Sequence, residues 1–308
     1  MTDICLLGSG ATLPTPERGV SAAILRCEGR AILFDCGEGT QAALRREHFS
    51  PVKIDLIALS HYHGDHTFGL PGLLQTMSCM ERQSPLYITG PGGLAEAMEP
   101  ILRLAGVQCY SIVLLSGESI SLSKLHRAWP AGAELSALPT LHRVPAQGYK
   151  FSLPRPPRFD PDNAKASGVP VPQWKGLIAE PDSFVTVDGR KVYGRELLGR
   201  ERRGLSVVFS GDTMPCPAIT EAARGTDLLI HDATYGEDAD EGQALTYGHS
   251  TFRQAAELAA QAGAKRLWLT HFSQMLRRPE DYLPNAAAFP GAVCGRDGLE
   301  ISLSFKEN

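Results

Sequence analysis

In Ser60-His61-Tyr62-His63-Gly64-Asp65-His66, three imidazoles and one carboxylate fall within six residues, directly after the apolar run Ile54-Asp55-Leu56-Ile57-Ala58-Leu59. Neutral imidazole and carboxylate together are the donor set that suits Zn²⁺. The spacing sends His61 and His63 toward one metal position and Asp65 and His66 toward the next. With nine histidines in 308 residues, scattered surface residues are a poor account of such a cluster. Two metals need more ligands than one loop supplies, and the remaining candidates are His142, Asp212 and His271. Asp212 and His271 each follow an apolar run, and His142 sits in Pro139-Thr140-Leu141-His142-Arg143-Val144-Pro145.

These side chains need a scaffold that brings distant segments together. Residues 4–7, 22–25 and 31–34 are short apolar runs that read as strands, punctuated by glycines. Residues 38–48 read as a helix. Asp65 is placed to cap a further helix running to Met80, residues 85–89 return as a strand, and 93–104 as a helix. Strands are again expected at 205–209, 227–230 and 266–269. Between the last two, Ser250 or Thr251 starts a helix, with Gln254 completing a capping box and Gly263 stopping it. Asp35, His61, Asp212, His231 and His271 each follow an apolar strand, so polar groups converge on one sheet edge, as on open α/β folds.

Residues 150–205 differ: seven prolines, little periodicity, and eleven Lys or Arg against seven Asp or Glu. That local charge of +4 leaves −8 for the rest of a chain whose net charge is −4. Such a composition suits a protruding arm or a long loop. An acidic remainder excludes a general nucleic-acid coater but allows a local basic patch. The seven cysteines are scattered, with no Cys-x-x-Cys pair, and read as reduced thiols. Without a basic, apolar leader and without an apolar run near ~18 residues, a cytoplasmic protein with no membrane contact is expected.

The series His61-x-His63-x-Asp65-His66, His142, Asp212 and His271 resembles the metallo-β-lactamase superfamily. That resemblance implies an α/β fold, a four-layer αββα sandwich over residues 1–308, with two zinc ions per subunit at the edge between its sheets. Several longer strings resemble one family within it, ribonuclease Z: Leu7-Gly8-Ser9-Gly10-Ala11-Thr12-Leu13-Pro14, Phe34-Asp35-Cys36-Gly37-Glu38-Gly39-Thr40-Gln41, His66-Thr67-Phe68-Gly69-Leu70-Pro71-Gly72-Leu73, His231-Asp232-Ala233-Thr234 and Gly248-His249-Ser250-Thr251. Members remove the 3′ trailer from precursor tRNA.

By this resemblance His61, His63 and His142 hold one zinc, Asp65, His66 and His271 the other, and Asp212 bridges them. A hydroxide between the metals is the implied nucleophile, and Asp65 is placed to orient it or accept its proton. His249 is the implied general acid for the departing 3′ oxygen, the alternative being a cap for the helix that follows. His231 and Asp232 stand behind the ligands. The family reads His-Glu-Ala-Thr at that place, and the shorter Asp232 leaves its contact to His249 open. The resemblance further implies a homodimer, and at 150–200 an inserted arm that grips the tRNA elbow, with Arg155, Arg158, Lys165 and Lys175 as candidate phosphate contacts. The arm keeps only part of the family's pattern: Val-Pro stands for Gly-Pro, and Leu177-Ile178 for Leu-Lys. Hydrolysis of small phosphodiesters or aryl sulfates therefore remains an alternative, as does a metal-free scaffold in RNA processing.

Overall fold

The apolar runs become strands because they are buried on both faces, which favours continuous Val, Ile and Leu over alternation with polar residues. A computed structural model describes residues 1–305. The first six strands are β1 (Thr2–Gly8), β2 (Ala22–Cys27), β3 (Arg30–Phe34), β4 (Ile54–Ala58), β5 (Leu86–Thr89) and β6 (Ile112–Leu115). Next come β7 (Ser119–Ser121), β8 (Glu134–Pro139), β9 (Gln147–Arg155), β10 (Phe184–Val187) and β11 (Arg190–Tyr193). The series closes with β12 (Arg202–Phe209), β13 (Leu228–Asp232), β14 (Leu267–Thr270), β15 (Ala292–Cys294) and β16 (Glu300–Leu303).

One seven-stranded sheet has the order β16-β1-β2-β3-β4-β5-β6 and the other β15-β14-β13-β12-β9-β8-β7. Strand pairs from β3 to β6, and from β12 to β15, are parallel. Side-chain alternation assigns each face to a core. In β1, Ile4 and Leu6 face a central core while Cys5 and Leu7 face another on the far side of the sheet. In β12, Val207 and Phe209 enter the central core and Val208 a third one. The central core joins the two sheets, with Phe34 stacked on Phe209 at 5.3 Å. The outer cores lie under the helices Thr40–Arg46, Leu70–Cys79 and Leu94–Ala105 on one side, and Pro217–Ala222 and Phe252–Ala262 on the other. Three cores between four layers make the αββα sandwich.

Asp55 interrupts the apolar run of β4 yet is buried. It accepts hydrogen bonds from Arg30 Nε at 2.8 Å and Trp129 Nε1 at 2.8 Å, so the charge is paired inside the core.

Three expectations need correction. The helix expected from Asp65 to Met80 is two helices, Gly64–Thr67 and Leu70–Cys79. The break falls at Gly69, whose N–H donates to Cys36 O at 2.9 Å and where a Cβ would stand 2.2 Å from Gly37 O. Asp65 sits in the first turn of the short helix without capping it, because its carboxylate accepts from Thr12 N–H instead. The segment 150–205 is not a structureless loop. Pro154–Gly204 packs as a compact unit of its own. That unit contains helices Pro161–Ala166 and Val171–Ala179 and the hairpin β10–β11, around a core of Ala164, Val169, Leu177, Val192 and Leu197.

The helix Phe252–Ala262 starts as expected, Thr251 and Gln254 forming the capping box and Gly263 adopting the left-handed conformation. Among the described residues no helix is long and apolar enough to cross a membrane.

Candidate metal centre and active site

The carboxyl ends of parallel strands are where α/β folds place ligands, and this chain follows that rule. Asp35 follows β3, the His-rich loop follows β4, Asp212 follows β12, Asp232 ends β13 and His271 follows β14. Gly211 permits the two sheets' loops to meet: its φ is +59°, and a Cβ there would stand 2.7 Å from Ser60 Cβ.

All seven candidate ligands converge. His61, His63 and His142 form one group with ligand atoms within 4.8 Å of one another, and Asp65, His66 and His271 form another. Asp212 Oδ2 lies between them, 3.7 Å from His61 Nε2, 3.4 Å from His66 Nε2 and 3.3 Å from His271 Nε2.

The far nitrogen of four imidazoles is tied down, which fixes tautomer and ring orientation as it does in metal sites. His66 Nδ1–H donates to Asp35 Oδ2 at 2.8 Å, and His142 Nδ1–H donates to Gly248 O at 2.8 Å. The Ser60 hydroxyl donates to Asp35 Oδ2, so it accepts from His61 Nδ1–H at 3.0 Å. Thr234 Oγ1 donates to Asp232 Oδ1, so it accepts from His271 Nδ1–H at 2.8 Å. Each ring then presents Nε2 as a lone pair. The buried Nε2 atoms of His66 and His142 have no hydrogen-bond partner. His61 Nε2 and His63 Nδ1 face each other at 2.8 Å. Converging lone pairs and orphaned nitrogens fit a pair of cations.

The electrostatics point the same way. Burial lowers the pKa of His61 to about 2, and lowers those of His63 and His142, keeping all three neutral. Burial alone would raise Asp65, but the adjacent imidazoles of His271 and His66 hold it well below the usual carboxylate range. Asp212 is likewise held low against burial, by His271, His66 and His61. His66 differs: against burial, Asp212 and Asp35 raise its pKa well above the ordinary value. Two ionised carboxylates beside the neutral His61, His63 and His142 form a site that calls for positive charge.

His249 does not cap the following helix; Thr251 does. Its Nδ1–H donates to Asp232 Oδ2 at 2.8 Å. Although burial opposes the charged form, Asp232 raises the His249 pKa to about 9, so the ring is protonated at neutral pH. The shorter Asp232 therefore reaches His249. It also accepts from Thr213 N, Thr234 N and Thr234 Oγ1, which uses a fully buried carboxylate completely. His231 is fully buried and neutral, its Nδ1 bonded to Asp232 O at 2.8 Å. A cavity of about 590 Å³ opens over the centre, lined by His63, Asp65, His142, Asp212, His249 and His271 among others.

Several site residues carry little or no signal in the sequence. Asp35 is fully buried and accepts from Ser60 N, Ser60 Oγ and His66 Nδ1. Its one signal is an aspartate closing an apolar strand before Cys36-Gly37. Ser60, Thr234 and Thr12 also contact the ligands, and although they lie within quoted strings, nothing in their residue types marks that role. Asp35, Thr12 and His271 all have positive φ, 55°, 62° and 62°. Non-glycine residues pay about 1–3 kcal/mol each for such conformations, which cluster at functional sites. Cys36 is buried and its thiol pKa raised by burial, so it is an inert core residue.

The four candidate RNA contacts belong to the smaller unit. Arg158, Lys165 and Lys175 are exposed and Arg155 is half-buried. Lys165 pairs with Asp162 at 3.5 Å. Arg202 has its pKa lowered by desolvation and then by Arg155 and Arg158, which places three guanidinium groups within electrostatic reach of one another.

Comparison with known proteins agrees with this geometry. The metallo-β-lactamase superfamily profile matches residues 15–91, and a β-lactamase superfamily domain profile matches 158–272. Ribonuclease Z of Lachnospira eligens is 36% identical over 310 residues, covering 100% of this chain and 99% of its own. Ribonuclease Z of Clostridium beijerinckii is 37% identical over 309 residues, covering 100% of both. Among solved structures, the short form of human tRNase Z matches with a TM-score of 0.65 at 29% identity, over 98% of this chain and 99% of that one. With full-length identity at this level and the same fold, the chain belongs to the ribonuclease Z family of the metallo-β-lactamase superfamily.

Proposed function

We propose that the protein is a zinc-dependent endoribonuclease that removes 3′ trailers from precursor tRNA. Family membership supplies the substrate class. The observation that carries the chemistry is His249, its Nδ1 bonded to Asp232 Oδ2 at 2.8 Å, beside two converging ligand triads.

In this reading His61, His63 and His142 hold one zinc, Asp65, His66 and His271 the second, and Asp212 is shared. Bound there, the metals supply an acidified water and neutralise charge on the attacked phosphate. The protein's own groups do the rest. Asp65, kept ionised and fixed by Thr12 N–H at 2.7 Å, orients the attacking water and accepts its proton. His249 gives the proton on Nε2 to the departing 3′ oxygen, and Asp232 stabilises the imidazolium until transfer. His231 supports Asp232 through its carbonyl. Arg155, Arg158, Lys165 and Lys175 contact phosphates, which positions the RNA without reading its sequence.

The protein acts in the cytoplasm, a setting that suits seven free thiols. It works as a homodimer, in which one subunit's arm serves its partner's site, as the resemblance implies. The test is turnover of precursor tRNA by zinc-loaded protein beside turnover of a nitrophenyl phosphodiester. Cleavage at the 3′ trailer is expected. Turnover of the small ester alone would overturn the tRNA assignment and leave a small-phosphodiester hydrolase.

A further inference from the structure

Asp297 lies in the turn before β16, remote in sequence from every candidate ligand. Its side chain is 15% exposed. Oδ1 accepts from Ser9 N at 3.0 Å and from Ser9 Oγ at 2.9 Å, and Oδ2 accepts from Gly19 N at 2.7 Å. These two attachment points bracket the loop of residues 10–18. Arg46 stands 3.8 Å away and is more than half exposed, so backbone and hydroxyl donors are the main partners of this carboxylate.

The bracketed loop touches one candidate ligand, Asp65, and the chain neighbour of another, His271, and both ligands belong to the same triad. Thr12 N–H donates to Asp65 Oδ2 at 2.7 Å, from a left-handed conformation that threonine does not adopt unaided. Phe272, the neighbour of His271, is held on both sides: its N–H donates to Ser9 O at 2.9 Å, and its carbonyl accepts from Ala11 N–H at 2.9 Å. The other triad is held from elsewhere, His61 by Ser60 and His142 by Gly248. Among the described residues no hydrogen bond links the loop to His61, His63 or His142.

We propose that Asp297 is a positioning residue for one of the two metals. By fixing the loop at Ser9 and Gly19 it sets the orientation of Asp65 and His271, and so tightens the Asp65/His66/His271 site without acting on the His61/His63/His142 site. The inference rests on the two-metal reading above. Direct hydrogen-bond partners of ligands change metal affinity by about 10–100-fold when removed; Asp297 acts one contact further out, through the loop, so about 10-fold is expected.

The test reads metal. Full-length protein is loaded with zinc and titrated with a chelator, while the metal-free protein is melted separately. Asp297→Asn is close in size but replaces an accepting oxygen with an NH₂ group. It is expected to release one of two zinc equivalents at about 10-fold lower chelator concentration. The second equivalent and the melting temperature of the metal-free protein should not change. In a His63→Ala background, which weakens the other site, Asp297→Asn should loosen the zinc that stays bound. In a His271→Ala background it should have no effect. Equal loosening of both zincs, no loosening of either, or an effect in the His271→Ala background would overturn the proposal. Should Asp297→Asn not fold, Ser9→Ala removes one of the three donors and carries the same asymmetric expectation at smaller size. A parent protein that holds two zincs with no asymmetry in the variant defeats this inference alone. A parent that binds no zinc defeats the two-metal reading as well.

Discussion

At the scale of residues, four candidate ligands share one arrangement: one ring nitrogen has a partner away from the centre and the other faces the centre. His66, His61, His142 and His271 each have the outward nitrogen engaged, by Asp35, Ser60, Gly248 O and Thr234. The His-rich loop is legible in sequence because its four donors are local. Apart from Ser60, which adjoins His61, the partners are not, because they come from remote segments: Asp35 and His66 are 31 positions apart, Thr12 and Asp65 53. His249 is bonded to Asp232, not to the helix it precedes, so its removal should spare the fold. His249→Ala is expected to lower kcat by about 10²–10⁴-fold, the usual worth of a general acid, with zinc content unchanged by elemental analysis. Full activity in that variant would remove His249 from the mechanism. Asp65→Ala is expected to abolish cleavage nearly completely and to lose one zinc equivalent, because the same carboxylate serves as ligand and as partner of the attacking water. Unchanged zinc content together with full turnover would contradict both roles.

At the scale of elements, the metal loop is held by a second loop at close range. Cys36 N–H donates to His66 O at 2.8 Å, and Gly69 N–H to Cys36 O at 2.9 Å. A Cβ on Gly37 would stand 2.2 Å from Asp65 O, so backbone meets backbone with no room for a side chain. Gly37→Ala must therefore push the two loops apart. We expect a loss of about 1–3 kcal/mol in stability, the range for overpacking a filled site, measured by denaturant unfolding of the metal-free protein. Weaker zinc retention should accompany it, since the displaced residue is a ligand. A variant as stable as the parent, with both zincs, would show that the loops tolerate separation. Strand legibility follows burial. Strands β1, β3, β4, β13 and β14 are nearly buried throughout and read as apolar runs, whereas β6 is only half-buried at all four positions and β7 and β8 are mixed. Without a clean period, residues 112–139 offer no pattern to read.

At the scale of the whole molecule, the chain keeps its candidate chemistry and its candidate RNA contacts in separately packed units. The αββα sandwich is expected through the family resemblance, whose strings lie in the larger unit. The smaller unit reads only as an arm or a long loop because its five core residues are spread from Ala164 to Leu197 between prolines and charges, too sparse for a periodic signal. Since Pro154–Gly204 has its own core, its removal should leave the three cores of the sandwich intact. Strands β9 and β12, which flank it, are neighbours in one sheet, so a connection of about 4–6 residues, ordinary for compact domains, can replace it. The shortened protein is expected to bind both zincs and hydrolyse a nitrophenyl phosphodiester at close to the parental rate, because no candidate ligand lies within the excised segment. Its KM for precursor tRNA should rise strongly. The salt dependence of tRNA binding should flatten by about one unit of log–log slope for each phosphate that is no longer engaged. Point variants of Arg158 and Lys175 should reproduce part of that flattening without touching small-ester turnover. Should the excised protein instead process precursor tRNA with unchanged KM and salt slope, substrate recognition would lie within the sandwich itself, and the basic residues of the arm would be solvated surface.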